Sequence, residues 1–229
     1  MPEERFDFER VPTGIPGLDE LIEGGFVKGS TVLVSGATGT GKTIFCVQFL
    51  MEGLKRGEKC MFITLEQKTE DIVNDVKRFG WDLKKYIDEK KLFLEYYDPF
   101  QVVDITSPLI DKIKENGIQR VAVDSTTLLG LYYEKSFELR KQLFKLLSGL
   151  KESGATSVIT SELPEKYETL AKFGVEEFVV DGVILLRYDY LSPNPLTLVV
   201  RKMRRTEHFR RSVVLEITEN GISLKSPKK

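Results

Sequence analysis

One segment limits what this chain can fold into more than any other: a short β-branched strand that runs straight into a glycine-rich loop. Residues 31–43 read TVLVSGATGTGKT, and Gly36-x-x-x-x-Gly41-Lys42-Thr43 within them has the spacing of a phosphate-binding loop. Such a loop wraps a polyphosphate with its N–H groups turned inward, so a Cβ at Gly36, Gly39 or Gly41 is expected to be in the way. Lys42 adds a positive charge near the β and γ phosphates, and Thr43 offers a hydroxyl to Mg²⁺. The helix that follows points its positive N-terminal end at the same phosphates. Its apolar face is present: Ile44, Val47, Leu50, Met51 and Leu54 recur at three-to-four spacing, and Gly57 supplies a stop. Strand, loop and helix therefore predict binding of ATP or a similar nucleotide. The contact set is Gly36, Ala37, Thr38, Gly39, Thr40, Gly41, Lys42, Thr43 and Ile44.

At 229 residues the chain has room for one substantial α/β domain with a full core, and 1–229 is read as that single domain. A net charge of −1 gives no global attraction to nucleic acid or to an anionic membrane, so only local basic patches are left to bind polyanions. The opening MPEERFDFER is charged where a secretion signal is apolar, and no apolar run approaches the roughly 20 residues of a membrane span. A soluble, cytoplasmic protein without membrane insertion is expected. Cys46 and Cys60 have neither metal-ligand nor redox-motif spacing and read as reduced packing residues. Few Asn and Gln beside abundant Lys and Glu point to a thermophile.

Beyond the loop the pattern keeps alternating strand and helix, which predicts a mainly parallel central sheet flanked by helices. Strands are expected at Met61–Leu65, Lys91–Tyr96, Arg120–Asp124 and Ser157–Ser161. Helices are expected from Thr69, as cap, to Phe79, from Ser107-Pro108 to Asn116-Gly117, and over Phe137–Glu152. After residue 180 the helices stop. Gly182–Tyr188, Leu196–Arg204 and Ser212–Thr218, linked by turns such as Ser192–Pro195, predict a C-terminal antiparallel extension, and 225–229 a loose tail.

Three carboxylates fall at strand ends on the edge where a parallel sheet holds its ligand. Asp124, ending VAVD, is placed to orient Mg²⁺ or to cap a turn. Glu66 is placed to polarise the attacking water or to cap the helix starting near Thr69. Ser161 and Glu162 fall on the same edge, as γ-phosphate sensors or as structural residues. The segment RKMRRTEH (201–208), read as strand, puts Lys202, Arg204, Thr206 and His208 on one face. That face suits a solvated edge blocking aggregation, a contact to nucleic acid, or charge supplied to a phosphate held by a neighbouring subunit.

Pro12-Thr-Gly-Ile-Pro-Gly-Leu-Asp19, then Gly24-Gly25 and the phosphate loop, resemble the opening of the RecA-superfamily branch that contains the clock ATPase KaiC and single-domain archaeal relatives. Phe79-Gly-Trp-Asp82, Gly174-Val-Glu-Glu-Phe178, and Lys202, Arg204, Thr206 and His208 continue the likeness in order and spacing. The resemblance implies a RecA-like P-loop NTPase core that forms a homo-oligomeric, hexameric ring with nucleotide at the subunit interfaces. It implies that Lys42, Thr43, Glu66 and Asp124 act within one subunit while Lys202 and Arg204 reach the neighbour's γ phosphate. Two departures stand out: Gln67 replaces the second of a frequent glutamate pair, and Glu177-Phe178 stand where the autophosphorylating clock domain has Ser and Thr. Autokinase activity is therefore not expected. The clock protein has two such domains in tandem, so timekeeping is not implied.

Three functions compete. The leading one is a slow, Mg²⁺-dependent ATPase, with Glu66, Lys42, Lys202 and Arg204 catalytic, Thr43 and Asp124 on the metal, and nucleotide state controlling ring assembly or docking of another protein. The second is a non-hydrolysing ATP-binding adaptor like the accessory ATPase of archaeal flagellar motors. The third, a recombinase or helicase-like DNA motor, is disfavoured because residues 162–177 carry five acidic residues against two basic ones.

Overall fold

The computed structural model describes residues 7–98, 104–133, 135–163, 169–189 and 195–225. Strands β1 (Arg10–Val11) and β2 (Phe26–Val27) pair antiparallel as a small separate sheet. The chain then runs through β3 (Thr31–Gly36), α1 (Lys42–Lys55), β4 (Cys60–Thr64), α2 (Thr69–Asp75), α3 (Leu83–Asp88), β5 (Leu92–Tyr96), α4 (Thr106–Asn116) and β6 (Arg120–Asp124). It continues as α5 (Leu129–Tyr132), α6 (Ser136–Glu152), β7 (Thr156–Glu162), α7 (Glu176–Val179), β8 (Gly182–Tyr188), β9 (Leu196–Met203), β10 (Val213–Thr218) and β11 (Gly221–Leu224).

The main sheet has the order β11-β10-β9-β8-β3-β7-β6-β4-β5. From β8 to β5 neighbouring strands run parallel, and β9, β10 and β11 complete it antiparallel. This is the expected mainly parallel α/β sheet with a C-terminal antiparallel extension, with one refinement: β8 pairs parallel with β3 on one side and antiparallel with β9 on the other. Side-chain alternation explains the layering. Val32 and Val34 face one core with Phe45 and Phe49 of α1, whereas Leu33 faces the other with Leu143 and Leu147 of α6. Both faces are covered, so β3, β4 and β6 read as unbroken buried runs.

The likeness motifs have local physical reasons. Asp19 accepts hydrogen bonds from the Thr13 N–H at 2.9 Å and the Thr13 hydroxyl at 2.6 Å, closing the loop that buries Ile15 and Leu18. Gln48 of α1 ties that loop to the last hairpin, donating to Gly14 O at 2.8 Å and Ile222 O at 2.9 Å and accepting from Ile222 N at 2.7 Å. In Phe79-Gly-Trp-Asp82 the two rings pack at 4.9 Å between centroids, and Asp82 caps α3 by accepting from Lys85 N at 3.2 Å.

Several local expectations shift. Thr69 does not cap its helix: the cap position is Lys68, with no side-chain bond, and the segment passes into a 3-10 turn at Val76–Phe79. The helix expected from Ser107 starts at Thr106, anchored by Asp104, which accepts from Thr106 N at 2.9 Å and the Ser107 hydroxyl at 2.8 Å. Residues 192–194 of the expected turn and 226–229 of the tail lie outside the described residues. Cys46 and Cys60 are free and buried, and burial pushes the Cys60 thiol up to about 12. Among the described residues, no helix is long and apolar enough to cross a membrane.

Candidate nucleotide site

The phosphate loop sits where β3 ends, between the parallel neighbours β7 and β8, the usual ligand crevice of an open α/β sheet. Gly39 (φ 81°) and Gly41 (φ 94°) take left-handed backbone that side chains rarely adopt. At Gly36 and Gly41 protein atoms supply a further reason for glycine, beside the expected approach of the polyphosphate. At Gly36 a Cβ would stand 2.6 Å from Leu186 O and 2.7 Å from Thr40 Oγ1, and at Gly41 2.9 Å from Ile217 Cδ1. The glycines let β8 and β10 close upon the loop, which Tyr188 also holds by donating to Gly39 O at 3.0 Å.

Lys42 Nζ is buried against the loop, donating to Gly36 O and Ala37 O at 3.1 Å each and lying 3.5 Å from Glu162 Oε1. Thr38 Oγ1 donates to the same Glu162 oxygen at 3.0 Å. Of the two residues expected together on this edge, the structure brings Glu162 to the loop. Ser161 is fully buried, and its hydroxyl accepts from Lys172 N at 3.2 Å.

Thr43 Oγ1 donates to Asp124 Oδ2 at 2.6 Å, joining the first turn of α1 to the end of β6. The other Asp124 oxygen accepts from the Thr160 hydroxyl on β7. Thr43 and Asp124 thus present hard oxygen donors at the phosphate end of α1, the set Mg²⁺ takes alongside phosphate oxygens. Asp124 is no surface turn cap: it is buried between strands.

Glu66 follows β4 in a turn organised by Thr64, whose hydroxyl accepts from Gln67 N at 3.0 Å and donates to Gln67 O at 2.8 Å. Its carboxylate accepts from the Ser125 hydroxyl instead of capping α2. Partial burial in the cleft pushes the Glu66 carboxyl above the ordinary carboxylate range. The Ser125 hydrogen bond pulls it back, the nearby Asp124 and Glu162 charges raise it, and Lys42 lowers it. A carboxylate raised in this way is a stronger base than an ordinary one, and its tether to Ser125 also suits it to orient a water.

The basic segment is arranged differently from the expectation. β9 ends at Met203, and 204–205 form a turn with Arg205 at φ 58°, so strand alternation does not carry Lys202, Arg204, Thr206 and His208 along one face. Lys202 Nζ donates to Glu177 O at 2.8 Å and Val180 O at 2.7 Å, and burial lowers its pKa, with Arg204 adding to the effect. Arg204 donates to Phe178 O at 3.2 Å and lies 3.6 Å from Asp181. Thr206 accepts from Arg10, and His208 contacts Phe209 O at 3.3 Å. Met203 pairs with Gly182, which pairs with Val32 near the start of β3. Lys202, level with Leu33 through Val183, and Arg204, which donates its N–H to Asp181 O level with Thr31, therefore lie about 10 and 17 Å along the strands from Gly36 at ~3.3 Å per strand residue, towards the edge opposite the phosphate loop.

Sequence reasoning missed Ser125 and Thr160 as partners of the two carboxylates. Ser125 follows Asp124 directly and so was within reach, whereas Thr160 emerges only once β6 and β7 are known to be adjacent. It also missed a cavity of about 280 Å³ beside the start of α1, lined by Thr43, Ile44, Gln67, Arg78 and Phe79 among others.

The family model described as "ATPase: KaiC" matches residues 11–229. The chain is 37% identical over 227 residues to the circadian clock oscillator protein KaiC of Synechococcus elongatus, covering 94% of this chain and 44% of that protein. It is 36% identical over 230 residues to KaiC of Prochlorococcus marinus, covering 95% and 45%. It thus spans about half the length of these curated relatives. The crystal structure of a KaiC-like protein from the hyperthermophilic archaeon Pyrococcus horikoshii superposes with a TM-score of 0.85 at 36% identity, covering 96% of this chain and all of that one.

Proposed function

Because the chain belongs to the KaiC family of ATPases, we propose that it binds Mg-ATP and hydrolyses it slowly between copies of itself. Those copies form a ring, hexameric in keeping with the family resemblance, whose nucleotide state controls assembly or the docking of another protein. The observation that carries this reading is the displacement of Lys202 and Arg204 along the strands away from the phosphate loop, by more than half of β3 for Lys202 and by all of it for Arg204. Within one chain they are on the wrong edge of the sheet. On an adjacent copy they are free to meet a γ phosphate, where a cation supplied in trans raises turnover by about 10³ to 10⁵.

In this reading the loop amides of 36–43 and Lys42 hold the phosphates. Ile44 and the cavity beside it receive the base, with Arg78 and Phe79 as its flat neighbours. Thr43 and Asp124 would hold Mg²⁺, which when bound neutralises charge between the phosphate oxygens. Glu66, fixed by Ser125, orients the water. Thr206 and His208 accompany Lys202 and Arg204 on the segment that meets the neighbouring copy. Glu177 and Phe178 offer no hydroxyl to receive a phosphoryl group there.

The test is ATP turnover by wild type and Glu66→Gln, with mass determined with and without Mg-ATP. Lost turnover in the variant, with an ATP-dependent ring in both, supports the reading. No turnover in either, with ATP retained and still driving assembly, replaces it with a nucleotide-gated adaptor.

A further inference from the structure

The turn that carries Arg204 is held from two sides by residues to which the hydrolytic chemistry assigns no part. On one side is Arg10, whose side chain is only 17% exposed. Its Nη1 donates to the Thr206 hydroxyl at 2.6 Å and to Gly25 O at 3.4 Å, and its Nη2 to Arg205 O at 3.1 Å and Glu23 at 2.7 Å. A planar guanidinium satisfied by this many fixed acceptors is a rigid bracket. On the other side is Asp181, 3% exposed, at the start of β8. Its carbonyl accepts from Arg204 N at 2.8 Å, and its carboxylate accepts from Thr31 N at 3.2 Å. Lys151 at 2.9 Å, Arg204 at 3.6 Å and Arg205 at 3.7 Å converge on that same carboxylate.

The arrangement does not resemble an ordinary surface ion pair. One buried carboxylate facing three cations leaves an excess of positive charge at the surface while fixing where that charge stands. Arg205 takes its left-handed φ of 58° between the two brackets, a conformation a non-glycine residue keeps only where partners determine it. The bracketed segment follows Met203, which registers through Gly182 with Val32 near the start of β3, away from the phosphate loop at its end.

We propose that Arg10 and Asp181 are positioning residues for trans catalysis, which preset the 204–206 turn so that Lys202 and Arg204 are presented to the phosphates of an adjoining copy. This rests on the reading that those cations act in trans. A misplacement of about 1 Å in such a group costs on the order of 10²-fold in rate, so neither residue needs to touch nucleotide to control turnover.

The experiment compares Arg10→Gln, Asp181→Asn and Arg204→Ala, each checked for folding by circular dichroism and for binding of a fluorescent ATP analogue. Both positioning variants are expected to lower kcat about 10²-fold with analogue affinity unchanged. Each is then mixed with an equal amount of Glu66→Gln. A subunit whose turn is disturbed still has an intact phosphate site, which an intact turn on a Glu66→Gln neighbour completes. Activity should return to about one quarter of wild type, the chance that a random interface pairs two intact halves. A defect confined to the variant's own fold would not be rescued by a neighbour. Wild-type turnover in both variants while Arg204→Ala is inactive overturns the positioning role alone, as does failure of mixing to rescue either. Full turnover by Arg204→Ala overturns the trans reading beneath it.

Discussion

Arg120 offers a quantitative check on how the sheet is joined to the rest of the molecule. Its side chain is 0% exposed, and its Nε and Nη2 donate to the two Glu58 oxygens at 2.6 and 3.1 Å. Nη1 donates to Pro12 O at 2.7 Å and Phe49 O at 3.0 Å, and the guanidinium lies 4.8 Å from the Phe49 ring centroid. Glu58→Ala leaves a buried cation without its counter-charge, a loss of roughly 3–5 kcal/mol, and the two carbonyls that remain keep it near 3. Arg120→Met removes the cation but strands two carbonyls at about 1–3 kcal/mol each, partly offset by Met packing on Phe49. Glu58 is 21% exposed and can be hydrated, so once Arg120 is gone its removal adds little. The double variant should therefore be about as stable as Arg120→Met alone, giving a coupling of about 3 kcal/mol. Urea unfolding of nucleotide-free protein reads this as a midpoint shift near 1 M for Glu58→Ala, at a slope of about 3 kcal/mol/M. Additive losses in the double variant would refute the buried-pair account.

The site makes further demands. Ser125→Ala removes the hydrogen bond that holds the Glu66 pKa down, so the carboxylate protonates at higher pH and the acid limb of the kcat profile moves to higher pH; an unmoved limb would detach Glu66 from the rate. Thr43→Val keeps the volume and deletes the hydroxyl bonded to Asp124, so Mg²⁺ should no longer tighten nucleotide binding while metal-free affinity holds, as titration calorimetry would record. Gly36→Ala drives a Cβ into Leu186 O and should cost about 1–3 kcal/mol in thermal unfolding even without nucleotide; a loss seen only in ATP affinity would leave the phosphate as the reason for that glycine.

How far the sequence could be read depends on the range of the interactions involved. The phosphate loop, Asp124 and Glu66 were legible because glycine spacing, apolar runs and strand ends are local signals. The parallel pairing of β8 was not, because it depends on which strand lies alongside, and β3 comes about 150 residues earlier in the chain. Thr160 on Asp124, Gln48 on Ile222 and Arg120 on Glu58 were hidden for the same reason: each partner is fixed by sheet order rather than by neighbours in sequence. The basic segment was misread in shape because period-two alternation was extended past Met203 into a turn. The register of β9 on β8 then sets Lys202 opposite Val183 and Met203 opposite Gly182, at the start of β8.

The proposed function makes catalysis a property of two copies, and dilution is the perturbation that separates one copy from two. Turnover per chain should be measured across a wide range of protein concentration at saturating Mg-ATP, with mass and bound nucleotide followed in parallel. The proposed arrangement predicts that specific activity falls towards zero as the assembly dissociates while the separated chain still binds ATP. Constant turnover per chain from a monomer would contradict it.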